Sequence, residues 1–178
     1  MGGPVRRIAL AILVVAIAAL AVYWFALRDT SAPTTSSESS RPVAQIGEGK
    51  QVLIIAADGR VIRTASGKSS HLPVLPLKGR PKGDRVRGHV REQVNVLAAA
   101  PKAIRRFIVG TDYGKTGVDV ETSSGIEIRF GDDRGAEKKW KAAAAVLADP
   151  SVTVLSYVDV HAPTRPTVGG EKHELPPA

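Results

Sequence analysis

The side chains best suited to metal binding or acid–base chemistry are scattered through this 178-residue sequence. The four histidines are His71, His89, His161 and His173, and no two of them form the His-Glu-x-x-His pattern that holds a catalytic zinc ion on one face of a helix. The chain contains no cysteine, so it offers neither thiolate ligands nor a disulfide framework. The sequence therefore predicts neither a metal site nor a bound cofactor.

Two short motifs contain side chains that could act as catalytic groups. Asp132 and Asp133 are adjacent carboxylates, and paired acids can share general acid and base roles when their surroundings separate their pKa values. The run Ser123-Ser124-Gly125 offers hydroxyl groups, but it forms no G-x-S-x-G elbow, and the chain has no phosphate-binding glycine loop. A helix cap accounts for the two aspartates, and a hairpin turn accounts for the Ser-Ser-Gly run. We therefore predict that the protein is not an enzyme.

A stretch of cationic side chains is the main charge feature of the sequence. Its members are Lys78, Arg80, Lys82, Arg85, Arg87 and Arg91, interrupted by Asp84. Such a stretch can bind anionic lipid headgroups or wall polymers, and it can equally be a solvated loop that runs into a charged helix face. The sequence leaves both interpretations open.

Residues 8–27 form a run of 20 residues without a charged side chain. A helix of this length, at about 1.5 Å per residue, spans the roughly 30 Å hydrocarbon core of a bilayer. Arg6 and Arg7 precede the run, and Tyr23 and Trp24 lie near its far end, as expected for a helix whose amino terminus stays in the cytoplasm. A cleaved signal peptide is the alternative, but its apolar core is typically about 7 to 15 residues and it needs small residues at the cleavage site. We predict an uncleaved anchor, which argues against nucleic acid as a partner.

Composition divides the rest of the chain into a tether, a folded domain and a tail. Residues 28–42 are rich in Ser, Thr and Pro and show no apolar periodicity, which is typical of a linker. The predicted organisation is a cytoplasmic terminus at 1–7, a transmembrane helix at 8–27, a tether at 28–42, a domain outside the cytoplasm at 43–170 and a flexible tail at 171–178.

Periodicity within the domain predicts two β-hairpins and two helices. Apolar residues in Gln51–Ala57 and Arg60–Thr64 flank an Asp-Gly turn, and strict alternation marks Val118–Thr122 and Ile126–Phe130 as a second pair. Helical spacing predicts one helix within 89–100, ended by Pro101. It also predicts a second helix after Gly131, capped by one of the two aspartates.

The remaining segments complete an α+β prediction. A strand is expected at Ile104–Val109, extended stretches at Val152–Val160 and Pro163–Gly170, and an extended surface segment at Leu72–Gly79, where two prolines disfavour an interior strand. Trp140 fits the apolar stripe of the second helix, although a stacking platform for a glycan is the alternative. Too few helices alternate with strands for a doubly wound sheet, so we predict a mostly antiparallel or mixed sheet with two helices.

Four blocks in a fixed order resemble the carboxy-terminal part of the FtsQ/DivIB cell-division proteins. The blocks are LIIAADGRVI (53–62), HLPVLPLKG (71–79), GIEIRFGDDRGAEKKWKAAAAVLADP (125–150) and LSYVDVHAPTRPTVGG (155–170). No block is a catalytic signature, but together they extend over most of the domain. In one respect the chain departs from the family pattern, because the space before the domain is too short for the POTRA domain that members usually carry.

The resemblance implies a single-pass scaffold at the bacterial division septum. Such a protein has its amino terminus in the cytoplasm and recruits or stabilises FtsB/DivIC-like and FtsL-like coiled-coil membrane proteins. Any partner that depends on a POTRA domain in the family is in doubt for this chain. The alternative function is a membrane-anchored module that binds anionic wall polymer or lipid headgroups.

The family's binding region for FtsB-like proteins corresponds to the end of this domain. The resemblance therefore implies a partner-binding set made of Tyr157, Asp159, Thr164, Arg165, Thr167, Val168, Gly169 and Gly170. If the last strand is an edge, its free backbone groups can pair with a partner strand. With Pro163 at the turn, Pro166 removes one outward donor and leaves Thr164, Val168 and Gly170 facing the partner. A bulge would instead present Arg165, Thr167 and Gly169.

Overall fold

The computed structural model describes residues 38–47, 52–65, 72–77, 79, 81–152 and 154–170. The predicted cytoplasmic terminus, the membrane span, most of the tether and the tail lie outside these residues. Within the described ranges, no helix is both long and apolar enough to cross a membrane.

Every described strand lies in one mixed sheet. The strands are β1 Pro42–Ile46, β2 Val52–Ala56, β3 Val61–Ala65, β4 Val74–Leu75, β5 Ile108–Gly114, β6 Gly117–Thr122, β7 Glu127–Gly131, β8 Tyr157–Asp159 and β9 Thr167–Gly169. Their order is β3-β2-β1-β4-β5-β6-β7-β8-β9. The pairs β1–β4, β4–β5 and β7–β8 are parallel and the others antiparallel. This confirms the α+β class with a mixed sheet.

Both predicted hairpins are present, and the second shows why its turn contains Ser-Ser-Gly. The amide of Gly125 donates to the carbonyl of Thr122 at 2.9 Å, and Gly125 has a φ of +79° that favours glycine. The Thr122 hydroxyl lies 2.8 Å from the Ile126 carbonyl and 3.1 Å from the Ile126 amide. The Ser-Ser-Gly run therefore serves as a turn, as its sequence predicts.

The described helices are α1 Gly88–Ala98, α2 Lys102–Arg105 and α3 Ala136–Leu147. The two longer helices were predicted, but α2 was not, and the strand expected from Ile104 begins only at Ile108. Pro101 precedes α2 with a φ of −59°, a value that starts a helical turn at no conformational cost. The Arg105 side chain also donates to the carbonyl of Ala100 at 2.7 Å, which stabilises the short turn.

The segment Leu72–Gly79 was predicted to lie on the surface, and this prediction is wrong for β4. This two-residue strand lies inside the sheet, between β1 and β5, and Leu75 is only 1% exposed. Pro73 and Pro76 flank β4, so neither proline needs a backbone donor within the ladder. The carbonyl of Pro73 even accepts a hydrogen bond from Gln45 at 2.9 Å. A strand of only two residues is what makes an interior position compatible with both prolines.

The core lies between one face of the sheet and the two longer helices. Helix α1 contacts β1, β5 and β6, α3 contacts β7 and β8, and the helices contact each other. Trp140 on α3 is fully buried, and its indole N–H donates to the Val96 carbonyl of α1 at 2.8 Å. The centre of its ring lies 4.8 Å from that of Phe130 on β7. Trp140 is therefore a core residue that joins both helices to the sheet.

Replacing Trp140 separates the effect of its hydrogen bond from that of its volume. In Trp140→Phe the Val96 carbonyl loses its buried donor, and we expect the free energy of unfolding to fall by about 1–3 kcal/mol. In Trp140→Ala a cavity is added, and the expected loss is about 3–5 kcal/mol. Denaturant unfolding of the purified chain in detergent, followed by circular dichroism, measures both. Lys141→Ala, on the exposed side of the same helix, should change stability by less than about 0.5 kcal/mol. A Phe variant as stable as the wild type contradicts the role of the indole donor.

Candidate functional site

The predicted partner-binding residues lie at the end of the sheet, on β8, β9 and the turn between them. Strand β9 is shorter than the predicted stretch Thr164–Gly170, because Thr164 and Arg165 belong to the turn. The Arg165 amide donates to the Ala162 carbonyl at 2.9 Å, which closes this turn. Within the described residues β9 pairs with β8 and with no other strand. One long side of β9 is therefore an edge of the described sheet.

The backbone of β9 has a defined direction. The carbonyl of Gly169 accepts a hydrogen bond from the Ser156 amide at 2.8 Å, so Gly169 directs its backbone groups toward β8. Neighbouring residues of a strand direct their backbone groups to opposite sides, so those of Val168 point away from the sheet. Pro166 lies two residues before Val168, so its backbone nitrogen also points away from the sheet, but a proline nitrogen has no hydrogen to donate. Strand β9 pairs with β8 without a register shift, and of the three residues predicted to face outward, Thr164, Val168 and Gly170, Val168 is the one that lies within β9.

Side chains cover the face of β8 and β9 that is turned away from the helices. A Cβ atom at Gly169 would lie 2.6 Å from the Tyr157 hydroxyl, so the tyrosine ring occupies the space above this glycine. The Arg129 guanidinium lies 3.9 Å from the centre of the Tyr157 ring and forms an ion pair with Glu127. On the opposite face, which is the one turned toward the helices, Val168 lies beside the buried Val158 and is 45% exposed. The edge thus combines an aromatic ring, a cation and an uncovered aliphatic side chain.

Asp159 and His161 connect the end of β8 to a neighbouring turn. The Asp159 carboxylate lies 2.9 Å from both the backbone amide and the Nδ1 atom of His161, and His161 Nε2 lies 3.2 Å from the Thr116 carbonyl. Burial acts to raise the pKa of Asp159. Hydrogen bonds from His161, together with the charges of His161 and Arg129, outweigh this and lower it. His161 is not among the predicted site residues, although its spacing two residues after an aspartate is the signal for such a turn.

The two adjacent aspartates do not form a catalytic pair, and neither caps a helix. Asp132 binds Lys139 and Arg134, whereas Asp133 accepts a hydrogen bond from Asn95. The cap position of α3 is Gly135, with a φ of +63° and no side-chain cap, so the predicted aspartate cap is wrong. The carboxylates bind other partners because the chain turns at Gly135 before the helix begins. Across the residues that the structure describes, no three histidine or acidic side chains come together in an arrangement that could hold a metal ion.

Lys139 is a buried cation whose bonds are all made within the domain. It is 5% exposed, and its Nζ atom donates to the Phe130 carbonyl at 2.9 Å, the Asp132 carbonyl at 3.0 Å and the Asp132 carboxylate at 2.7 Å. The hydrogen bond from Lys139 is the largest cause that lowers the pKa of Asp132 from 3.8 to about 2. The pair therefore ties β7 to α3 and leaves neither group available for chemistry.

The lowered pKa of Asp132 predicts a pH-dependent contribution to stability. A carboxylate with a depressed pKa in the folded state stabilises that state fully above its ordinary pKa of 3.8, and the contribution disappears as the pH falls toward about 2. Asp132→Asn lacks this contribution at every pH. We expect the difference in melting temperature between the two proteins to be largest above about pH 5 and to shrink toward zero near pH 2. Thermal unfolding of both proteins across this range measures it, and a difference independent of pH contradicts the role of the pair.

The sequence of this domain matches a known family. Residues 44–161 fit the family described as "Cell division protein FtsQ/DivIB, C-terminal". The matched region begins in β1 and ends just after β8, so it includes both long helices but not β9. No protein with a curated description matches the chain. Because the match covers well over half of the chain, the protein belongs to the FtsQ/DivIB family of cell-division proteins.

Proposed function

We propose that this protein is a scaffold of the bacterial cell-division machinery that binds other division proteins and catalyses no reaction. Membership of a non-enzymatic cell-division family supports this role. The uncharged run at 8–27, preceded by Arg6 and Arg7, supports a single membrane anchor with the carboxy-terminal domain outside the cytoplasm. The expected partners are FtsB/DivIC-like and FtsL-like coiled-coil membrane proteins at the septum.

The edge of β9 is the observation that carries the proposal. An edge strand with free backbone groups accepts a further strand, because each new backbone hydrogen bond replaces one made to water. Val168 directs its backbone N–H and carbonyl outward, and its 45% exposed side chain adds apolar surface that a partner residue can cover. A segment of the partner therefore adds to the sheet beside β9.

The side chains around this edge define which segment fits. Pro166 lacks an outward donor, so pairing starts beyond it and is centred on Val168. Tyr157 and Arg129 form a flat cationic and aromatic surface on the face turned away from the helices. Because the edge is short, the partner's side chains must contribute contacts to this surface in addition to the backbone bonds. An acidic or aromatic residue in the partner strand is the complement that we expect.

Two substitutions in β9 test strand addition. Val168→Pro removes one outward donor without removing a hydrogen bond to β8, and Thr167→Glu adds a charge beside Asp159 at the same edge. We expect both variants to remain folded and to lose affinity for the FtsB/DivIC-like partner by about tenfold or more, which corresponds to at least about 1.4 kcal/mol. Pull-down and titration with the full chain in detergent measure the affinity, and circular dichroism measures the fold.

Val168→Ile is the matched control, because it keeps both the backbone donor and an apolar, β-branched side chain. It should retain most of the affinity, since neither the outward backbone groups nor the apolar surface is lost. Folded Val168→Pro and Thr167→Glu variants that bind as tightly as the wild type rule out strand addition at β9.

Location in the cell tests the scaffold role independently of the binding edge. A fluorescent protein fused to the amino terminus of the full chain should gather at the division site, and depletion of the chain should produce filaments or chains of cells. A fusion of residues 1–37 alone contains the predicted anchor and most of the predicted tether but lacks the family domain, so it should spread evenly over the membrane. Even fluorescence of the full-length fusion, together with normal division after deletion, contradicts a division role for this chain.

A further inference from the structure

The first described residues, 38–41, are the end of the predicted tether and lie against the turn between β2 and β3. The Asp58 amide donates to the Ser39 carbonyl at 3.0 Å, and the Ala57 amide donates to the Arg41 carbonyl at 2.9 Å. The Arg60 side chain also reaches the Ser40 hydroxyl at 3.4 Å. This turn therefore marks the place where the chain arrives from the predicted tether.

The cationic stretch of the sequence packs on the same turn. The Val86 amide donates to the Gly59 carbonyl at 2.9 Å, and Val61 donates to the Asp84 carbonyl at 2.8 Å. The Arg85 guanidinium lies 3.2 Å from the Asp58 carbonyl, and that of Arg91 lies 3.4 Å from the Ala57 carbonyl. These backbone and side-chain contacts hold residues 84–91 beside the start of the domain. The sequence contains the cations, but only the fold brings them together around the turn between β2 and β3.

The resulting surface carries a net positive charge. Its cations are Arg60, Lys82, Arg85, Arg87 and Arg91, and its acidic residues are Asp58 and Asp84. Asp58 is already engaged by Arg60 and Arg85. Burial acts to raise its pKa, but hydrogen bonds from Arg60 and the charges of both arginines lower it. Lys82 and Arg87 are exposed, and neither forms an ion pair with another residue in the described part of the chain.

An apolar groove lies within this cationic surface. Its volume is about 310 Å³, and Leu77, Pro81, Val86 and Val90 line it together with Lys82, Arg85 and Arg87. Cationic side chains around an apolar floor suit the interface of a bilayer, where the cations bind headgroup phosphates and the apolar atoms reach the boundary of the acyl chains. A group of charges that is only hydrated has no use for apolar residues between its cations, so the groove favours binding to a membrane.

The length of the tether places this surface within reach of the membrane. Residues 28–37 are the only residues between the predicted span and the first described residue, and ten extended residues reach at most roughly 35 Å at about 3.3–3.6 Å each. We propose that this surface, comprising residues 81–91 with Arg60, docks on anionic phospholipid headgroups at the outer face of the cytoplasmic membrane. The proposal rests on the membrane anchor of the proposed function, but it does not depend on any division partner.

Fluorescence quenching in lipid nanodiscs tests this docking with the full chain. The chain has no cysteine, so one introduced cysteine gives a unique labelling site. His89→Cys places a fluorophore within the cationic surface, and Arg165→Cys places it on the turn before β9 as a reference. The discs contain phosphatidylcholine with or without phosphatidylglycerol, and a nitroxide on a headgroup acts as the quencher. In anionic discs we expect quenching at position 89 to be several-fold stronger than at position 165, and to weaken in zwitterionic discs and at raised salt.

Two pairs of charge reversals serve as test and control. Lys82→Glu with Arg87→Glu should reduce the quenching at position 89 to the level seen in zwitterionic discs. Lys138→Glu with Lys141→Glu changes the net charge by the same amount on the exposed side of α3 and should leave the quenching unchanged. Equal quenching at both label positions, or no dependence on lipid charge, overturns the proposal.

A soluble polyanion separates lipid from wall polymer as the occupant. Poly(glycerol phosphate), added at the same phosphate concentration as the anionic lipid, should leave most of the quenching in place because the anchor holds the domain beside the bilayer. Complete loss of quenching identifies a wall polymer as the preferred ligand and contradicts membrane docking. A chain that does not co-purify with the discs contradicts the anchor and this proposal with it. Because no division partner is present, neither result bears on strand addition at β9.

Discussion

The domain depends on the burial of one face of its sheet against two helices. The described strands form a single sheet, and α1 and α3 cover the same face of it. Trp140 is the residue at which the three parts meet, because its ring packs on Phe130 while its indole N–H binds the backbone of α1. A buried tryptophan N–H without a partner costs free energy, so the position of α1 and the identity of this residue depend on each other. Every other feature of the surface is arranged around this layer.

The order of the strands separates the two proposed binding surfaces. The chain arrives beside β2 and β3 at one end of the sheet, and β9 closes the other end. Eight strand spacings of about 4.8 Å place roughly 38 Å between these ends. A lipid surface at the first end and a partner strand at the second can therefore be bound together. In this arrangement, docking on the membrane presents the β9 edge in a defined orientation.

Four aspartates of the domain bind backbone and side-chain groups within the fold. Asp58, Asp132, Asp149 and Asp159 each accept a hydrogen bond from the backbone amide two residues later. This pattern fixes a turn, and in three of the four cases a cationic or imidazole side chain at that second residue also binds the carboxylate. The spacing is visible in the sequence as Asp-x-Arg or Asp-x-His. Because of these turns, carboxylates that could be taken for catalytic groups are already bound to groups within the domain.

Local patterns in the sequence determined the elements with strong periodicity. Alternation predicted the pairs β2–β3 and β6–β7, helical spacing predicted α1 and α3, and four ordered blocks indicated the FtsQ/DivIB family. These features depend on residues close together in the chain, so they can be predicted from one amino-acid sequence. The cationic character of residues 78–91 was visible for the same reason, whereas the membrane span at 8–27 lies outside the described residues and stays a prediction.

Only the tertiary structure decided which distant residues meet. Strand β4 lies inside the sheet because β1 pairs with it on one side and β5 on the other. The local sequence, two apolar residues between prolines, does not predict this interior position. The adjacent aspartates separate because Lys139 and Asn95 approach them from different helices. The backbone direction of Val168 follows from the hydrogen bond between Gly169 and Ser156. The cations lie beside the first described residues because residues 84–91 bind a turn about 25 residues earlier in the chain. Each of these arrangements depends on contacts between segments far apart in the chain, and such contacts leave no local pattern in the sequence.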